Sequence, residues 1–479
     1  MTDVHFTSKL DECRRLIASW SKRQLTVLGR ITVVKTIILS RLNHLFISLP
    51  RPSPEFLKEL EKLVFNFIWN GKPDRVARNL LVQNHDLGGL KMISAGNFIK
   101  SMHIKWFNRL MKSEAPWTHL YSSIVQAPLE HLLNFDTVYN EITISNTTYC
   151  FWKSALTALL DFRKLKCFCA EDSDILYTPI WYNNSIRVAG QPVYYKLWYR
   201  MGIQYIGHLL KEDGSFLSYT EFSEKYISVP FTTFFGTIST IKEFLQNSEL
   251  ANRNHLPDMK LPHCPEYLLI ILNTNVQSEN IIYNKLINSL HKQPKYIGKW
   301  HSETNVDDNC TTWSRIHQTC MLPMDMRHRW LQYRITHRIL STNSYLHKIG
   351  VINSPNCYFC RDQEETLKHL FFDCHVVKAF ITSVIHWLEI CSNRNFALNS
   401  IDFILSGHSA ELPLSINLLS IIAKSYIYNV KYKEGQLNIN AFIQYTKVAH
   451  DSELYILKKN MKLEEYGERW NVVQNYFAI

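Results

Sequence analysis

Apolar residues along this chain recur three and four positions apart over long stretches, the spacing of a helix face rather than of a strand. Residues 8–70 read as three helices. The first is expected from Ser8 to Arg23. In the second, "LGRITVVKTIILSRLNHLFISL", Ile31, Val34, Ile38, Leu42, Leu45 and Leu49 share a stripe. In the third, "PRPSPEFLKELEKLVFNFIWNG", Ser53 is an N-cap, Pro54 suits the first helical position, and Gly71 is the stop. Its predicted buried stripe is Phe56, Leu60, Leu63 and Phe67.

After this block the pattern breaks. "DLGGLKM" predicts a tight turn between short extended pieces, with Lys72, Arg75 and Arg78 clustered just before it. A helix resumes in "GNFIKSMHIKWFNRLMK". From 115 to 300 dense aromatics and polar loops predict mixed helices with some short strands. Cys167 and Cys169 there lack a matching second pair and read as ordinary cysteines. Beyond 300 the helical period returns in "MRHRWLQYRITHRILSTNSYLHKIG", over 375–390, and in "LPLSINLLSIIAKSYIYNVKYK". The tail "ELYILKKNMKLEEYGERWNVV" predicts one closing helix. No repeat or low-complexity segment is visible, and glycine is sparse at 15 residues.

The first of these late helices carries the charge. On a helical wheel Arg327, Arg334 and Arg338 fall within about 40° of one another. Leu331, Ile335 and Ile339 form the adjoining apolar stripe; Trp330, Tyr333 and His337 flank it. Guanidinium groups beside aromatic faces suit phosphate contact with base stacking. A solvated face with Trp330 half-buried is the competing reading. Lys72, Arg75, Arg78, Lys424, Lys431 and Lys433 are weaker basic candidates. The whole chain agrees in sign: 53 Lys+Arg against 42 Asp+Glu leaves a net charge of +11 over 479 residues. Such an excess points to polyanionic partners.

The sharpest chemical signal is "CYFCRDQEETLKHLFFDC", 357–374. Cys357, Cys360, His369 and Cys374 have the spacing C-x2-C-x8-H-x4-C. Three thiolates and an imidazole suit tetrahedral Zn²⁺, and four protein ligands leave no open position for water, so the zinc is read as structural. His375 competes with His369. Five-residue spacing does not share a face of an α-helix, so a helix break is expected between His369 and Cys374. The N-terminus "MTDVHFTSKLDECRRL" lacks the apolar core of a secretory signal, and no run of eighteen apolar residues predicts a membrane span. With eleven cysteines, an odd number, the expectation is a reducing intracellular setting in which a C-x-x-C pair serves metal chemistry. The expected fold is mainly α, a multi-domain helical protein with a small Cys3His zinc-binding segment and a few short strands.

These segments, in this order, resemble a known family. "WSKRQLTVLGRITVVKTIILSRLNHLFISLP", "FNFIWNG" and "DLGGLKM" are similar to the helices after the catalytic palm in LINE-1-type non-LTR retrotransposon reverse transcriptases. "RWLQYRITHRILSTNSYLHKIGVINSPNCYFCRDQEETLKHLFFDC" resembles the zinc-binding segment near the C-terminus of the same polyproteins, and "INLLSIIAKSYIYNVKYK" resembles their end. The resemblance implies a thumb-like helical domain at 1–114, a connecting region at 115–300, a basic helix with the zinc segment at 301–411, and C-terminal helices at 412–479. It implies RNA, and an RNA–DNA hybrid, as partners of a cytoplasmic or nuclear ribonucleoprotein, without membrane or small-molecule substrate.

The family's Phe-Ala-Asp-Asp strand, which holds Mg²⁺ for nucleotidyl transfer, has no counterpart here. Asp307 and Asp308 stand in the polar context "ETNVDDNCTT" and are read as a loop. The palm and endonuclease would precede Met1. No nucleophile elbow, phosphate loop or open metal triad suggests another enzyme. The expected function is nucleic-acid binding without polymerisation; the alternative is a zinc-stabilised helical protein-interaction module that binds no nucleic acid.

Overall fold

The computed structural model describes residues 2–113, 115–119, 150–165, 178–183, 185–246, 270–271 and 278–477. Cys167 and Cys169 lie outside the described residues. The chain is mainly helical, and among the described residues the one sheet is a hairpin of two-residue strands, with Arg187 opposite Pro192 and Val188 opposite Gln191. Its turn residues Ala189 and Gly190 both have positive φ, 52° and 79°, which follows the twist of the paired strands.

Two compact units are each assembled from separate stretches: Met1–Cys13, Leu39–Glu61 and Ser94–Leu290 form one; Arg14–Ile38, Lys62–Ile93 and His291–Ile479 form the other. Neither unit is a consecutive stretch of the chain.

In the first unit, helix Ala95–Lys112 packs on helices Cys150–Arg163 and Ser278–Asn288. The core collects large aromatics, with Phe107, Phe162, Trp181, Trp198 and Phe222 almost wholly enclosed. Trp181 Nε1 donates to the Ile203 carbonyl at 2.6 Å, so its one polar group is satisfied.

The second unit is built around helix Leu414–Tyr432, whose residues 415–427 are all buried. A helix buried on every side belongs in a core, and the polar residues it carries there need partners. Against it pack helices Met326–Thr336, Ser400–Leu405, Ile439–Lys459 and Leu463–Trp470. Lys424 is wholly buried within it and donates to the Ile404 carbonyl at 2.8 Å and to Ser406 Oγ at 2.8 Å, while also reaching the Phe403 carbonyl at 2.5 Å. It closes the C-terminal end of helix Ser400–Leu405, so this lysine is no surface cation.

The early helices follow the expected pattern with local departures. Helix Thr2–Ser21 starts earlier than expected. Helix Pro54–Ile68 begins as predicted, Phe56 N–H donating to Ser53 Oγ at 3.2 Å. It ends at Asn70 and Gly71, both with positive φ. Its stripe is wider than predicted: Leu57, Val64, Phe65 and Ile68 are buried, while Leu63 is half-exposed.

The helical stretch from Val27 to Ser48 passes through a π turn at Val34–Ile38 and a 3-10 turn at Leu39–Leu42. By length and composition it could cross a membrane, contrary to the reading from uninterrupted apolar runs. Arg30 within it is buried and donates to the Phe67 carbonyl at 2.9 Å, which is the behaviour of a core helix.

The Asp-Leu-Gly-Gly segment makes no extended pieces. His85–Leu87 form a 3-10 turn, and Leu90, Lys91 and Met92 N–H groups fold back onto the Leu81 and Gln83 carbonyls. Two further expectations are corrected by helix breaks. The basic stretch is two helices, Met326–Thr336 and Asn343–Lys348, the second capped by Thr342. The tail is also two helices, separated at Met461, whose φ is 57°.

Candidate metal centre and basic surface

The metal centre is assembled by a knuckle and a π turn. In the knuckle, Cys357 N–H donates to the Gln363 carbonyl at 2.7 Å and Arg361 N–H to the Cys357 carbonyl at 2.9 Å. Arg361 takes a left-handed conformation, φ 60°, and Asn356 Nδ2 holds its carbonyl at 3.0 Å. This reversal aims Cys357 and Cys360 the same way.

The other half is the π turn His369–Asp373, closed by Cys374 N–H donating to the His369 carbonyl at 3.0 Å. A π turn bonds residues five apart, so it brings His369 and Cys374 to one side. Cys374 itself then turns extended, ψ 126°, before helix His375–Ser392. The expected break exists, but it comes at Cys374, after the π turn has done the aligning. His375 points to solvent and is not part of the cluster.

The four ligand atoms lie within 4.8 Å of one another. Cys357 Sγ is 3.9 Å from Cys374 Sγ, and Cys360 Sγ is 3.3 Å from His369 Nε2. Tetrahedral zinc with its usual bond lengths gives edges of about 3.8 Å between sulfurs and about 3.5 Å between sulfur and nitrogen. The residues therefore fit the ion. Burial opposes ionisation of Cys360, but the Gln363 and Asp362 amides, with His369 and Cys357, hold its thiolate and bring the pKa down to about 6. Burial pushes the Cys357 thiol up, and its Cys374 and Cys360 neighbours add to that. Three sulfurs this close repel as anions, and a divalent cation removes that conflict.

A buried carboxylate ties the knuckle to the rest of its unit. Glu365 has no exposed surface; it accepts from Asn343 N–H at 2.8 Å and Tyr358 N–H at 3.2 Å, and pairs with Lys431. Tyr358 Oη donates to the Gly435 carbonyl at 3.2 Å. Lys431, one of the weak basic candidates, is thus engaged in structure. Nothing in the sequence distinguishes Glu365 from its neighbour Glu364; only its enclosure does.

Residues 278–380 match the family model for zinc-binding in reverse transcriptase. The matched stretch contains all four members of the Cys3His cluster and the basic helix before it, and it relates this protein to reverse transcriptases.

The basic residues of this segment are placed differently from the row the wheel predicted. Arg327 is exposed, but its guanidinium is held by Asp325, the helix N-cap, at 2.7 Å. Arg334 lies 5.8 Å from the Trp330 ring and 5.3 Å from the Tyr428 ring. Burial lowers its pKa; Tyr428 opposes this and Arg75 adds to it. Arg75 and Arg334, far apart in sequence, are therefore electrostatic neighbours.

Arg338 falls beyond the helix end at φ 57°, pairs with Glu303 through two contacts at 2.7 and 2.8 Å, and lies over Trp300. Tyr333 is enclosed: its ring stacks on His337 at 3.7 Å and its hydroxyl donates to the Gly88 carbonyl at 3.1 Å. It offers no face to a base, which corrects the stacking role expected of it. Trp330 is half-buried between Trp69 and Tyr333. Lys72, Arg75 and Arg78 are exposed, and Arg78 is paired with Asp74 at 2.7 Å. Asp307 and Asp308 are exposed in a loop.

Proposed function

We propose that the chain is a nucleic-acid-binding portion of a LINE-type reverse transcriptase, corresponding to the thumb, connection and C-terminal zinc segment. It binds RNA, or an RNA–DNA hybrid, through backbone phosphates and works within a cytoplasmic or nuclear ribonucleoprotein. The observation that carries this reading is the Cys3His cluster, spaced for tetrahedral zinc inside a segment that matches the reverse-transcriptase zinc-binding family. Cys357, Cys360, His369 and Cys374 would hold the ion. When bound it supplies charge balance for three thiolates and a rigid cross-link, with no open position for chemistry.

The site residues then have a positioning role. Cys357 and Cys360 fix the knuckle, His369 and Cys374 fix the start of helix His375–Ser392, and Glu365 with Lys431 seats the knuckle on helix Leu414–Tyr432. Arg327, Trp330 and Arg334 precede this rigid element with Lys72, Arg75 and Arg78 as further cations. In this reading the chain does not polymerise on its own; among the described residues no carboxylate pair stands on a strand.

Filter binding to single-stranded RNA across a salt series tests the proposal. Affinity should fall steeply with salt, because each phosphate neutralised releases counterions. Primer extension should be blank. The second reading, a zinc-stabilised protein-interaction module, is favoured by one observation: Arg327 and Arg338 are already paired with carboxylates and Tyr333 is buried. RNA binding absent at low salt would select it.

A further inference from the structure

Within the second unit a cleft of about 450 Å³ opens between the 75–83 segment and the start of helix Lys295–Thr304. Arg75, Lys292, Lys295 and Lys299 line it, together with Arg338, and no aspartate or glutamate does. Arg338 is neutralised by Glu303. Among the described residues no ion pair engages the other four, and all four are exposed.

Two features of this concentration are unfavourable for folding alone. Lys295 stands in the first helical turn, where the macrodipole disfavours a cation, and the Pro294 N-cap supplies no side-chain acceptor. Arg75 also lies near enough to Arg334 to lower its pKa further, after burial. Residues that break local rules without a compensating contact mark functional sites. The floor of the cleft is apolar, with Leu80 and Ile339 among its residues. Its size falls within the roughly 300–1,000 Å³ of ligand pockets.

We infer that this cleft is a seat for single-stranded polynucleotide, its cations on successive phosphates and its apolar floor under a sugar or base. The inference rests on the nucleic-acid reading above and moves the contact surface from the exposed side of helix Met326–Thr336 to the cleft. The first turn of helix Lys295–Thr304, which no N-cap side chain caps, adds backbone N–H donors for one phosphate oxygen.

The test uses the full chain and a fluorescein-labelled oligouridylate, read by anisotropy from 50 to 200 mM salt. One variant combines Lys292→Glu, Lys295→Glu and Lys299→Glu. A second, Lys447→Glu/Lys458→Glu/Lys459→Glu, makes the same charge change at exposed lysines of helix Ile439–Lys459. Thermal melts establish that both fold. The inference expects the cleft variant to lose about tenfold or more in affinity and to flatten the log–log salt slope by about 2, since each single-strand phosphate contact contributes about 0.7. The helix variant should lose less than about threefold.

Equal losses in the two variants would mean a net-charge effect and overturn the cleft assignment. Wild-type affinity in the cleft variant would overturn it while leaving nucleic-acid binding standing. A cleft variant that loses binding only to phosphatidylserine vesicles would replace RNA by a membrane surface. No RNA binding by the wild-type chain at 50 mM salt would remove both this inference and the proposed function.

Discussion

Gly88 and Gly89 show how single residues decide the segment between residues 81 and 92. A Cβ on Gly89 would meet the Gln83 carbonyl oxygen at 2.0 Å, and one on Gly88 would meet Tyr296 Oη at 2.5 Å, at a φ of +81°. Backbone cannot yield as a flexible side chain can, so Gly89→Ala is expected to cost about 2–3 kcal/mol, the upper range for overpacking, and to lower Tm in a thermal melt. An unchanged melting temperature would mean that the turn relaxes. The pair was legible in the sequence as a turn, but its reason was not: the partners at 83 and 296 are brought there only by the fold.

The Cys3His cluster was legible because thiolates and imidazole at short spacing carry chemistry in their identity. Tyr333 was misplaced because a helical wheel gives direction but not depth. Its ring lies over His337 and its hydroxyl reaches Gly88.

Among the elements, buried polar pairs join helices that hydrophobic periodicity alone would leave free to slide. Glu453 on helix Ile439–Lys459 accepts from Arg469 Nη2 at 2.7 Å and from Trp470 Nε1 at 3.1 Å, and it also accepts from Met324 N–H at 2.7 Å. Both members of the ion pair are about 6% exposed. Arg469→Ala strands the carboxylate and should cost about 3–5 kcal/mol, whereas Glu453→Met with Arg469→Leu should recover most of that loss. Denaturant titration of the three proteins measures it; equal loss in single and double variants would show that packing, not charge, dominates.

A second element-scale prediction concerns acid. Burial lowers His337 to about 3 and His317 to about 4 from an ordinary 6.5. Below pH 6.5 the unfolded chain takes up protons that the folded one refuses, so stability is full above 6.5 and declines as pH falls toward 4. Melts at descending pH should show this slope, flattened in His337→Gln. A melting temperature constant across that window would contradict it. Helix existence was readable from period, and ends were readable where a cap marks them, as at Ser53 and Gly71, but not where left-handed residues such as Arg338 and Met461, which have no sequence signature, break the helix.

For the molecule as a whole, the charge excess was plain from composition, but its distribution was not. Several cations expected at the surface are absorbed: Lys424 into a helix end, Lys431 onto Glu365, and Arg338 onto Glu303. Four exposed cations that no ion pair engages among the described residues, Arg75, Lys292, Lys295 and Lys299, line one cleft, and its lysines come from 292–299, a stretch without any recognisable motif. The two interleaved units were likewise hidden, since the first 93 residues divide between them. Hydrophobic spacing reports which face of a helix is buried, never which other segment buries it.

The zinc content of the purified chain, measured by mass-spectrometric elemental analysis, reaches the centre of the account most directly. One zinc per chain in the wild type, and none in Cys357→Ser/Cys374→Ser with a lowered melting temperature, is the predicted result. A metal-free wild-type protein that melts identically with and without chelator would contradict it.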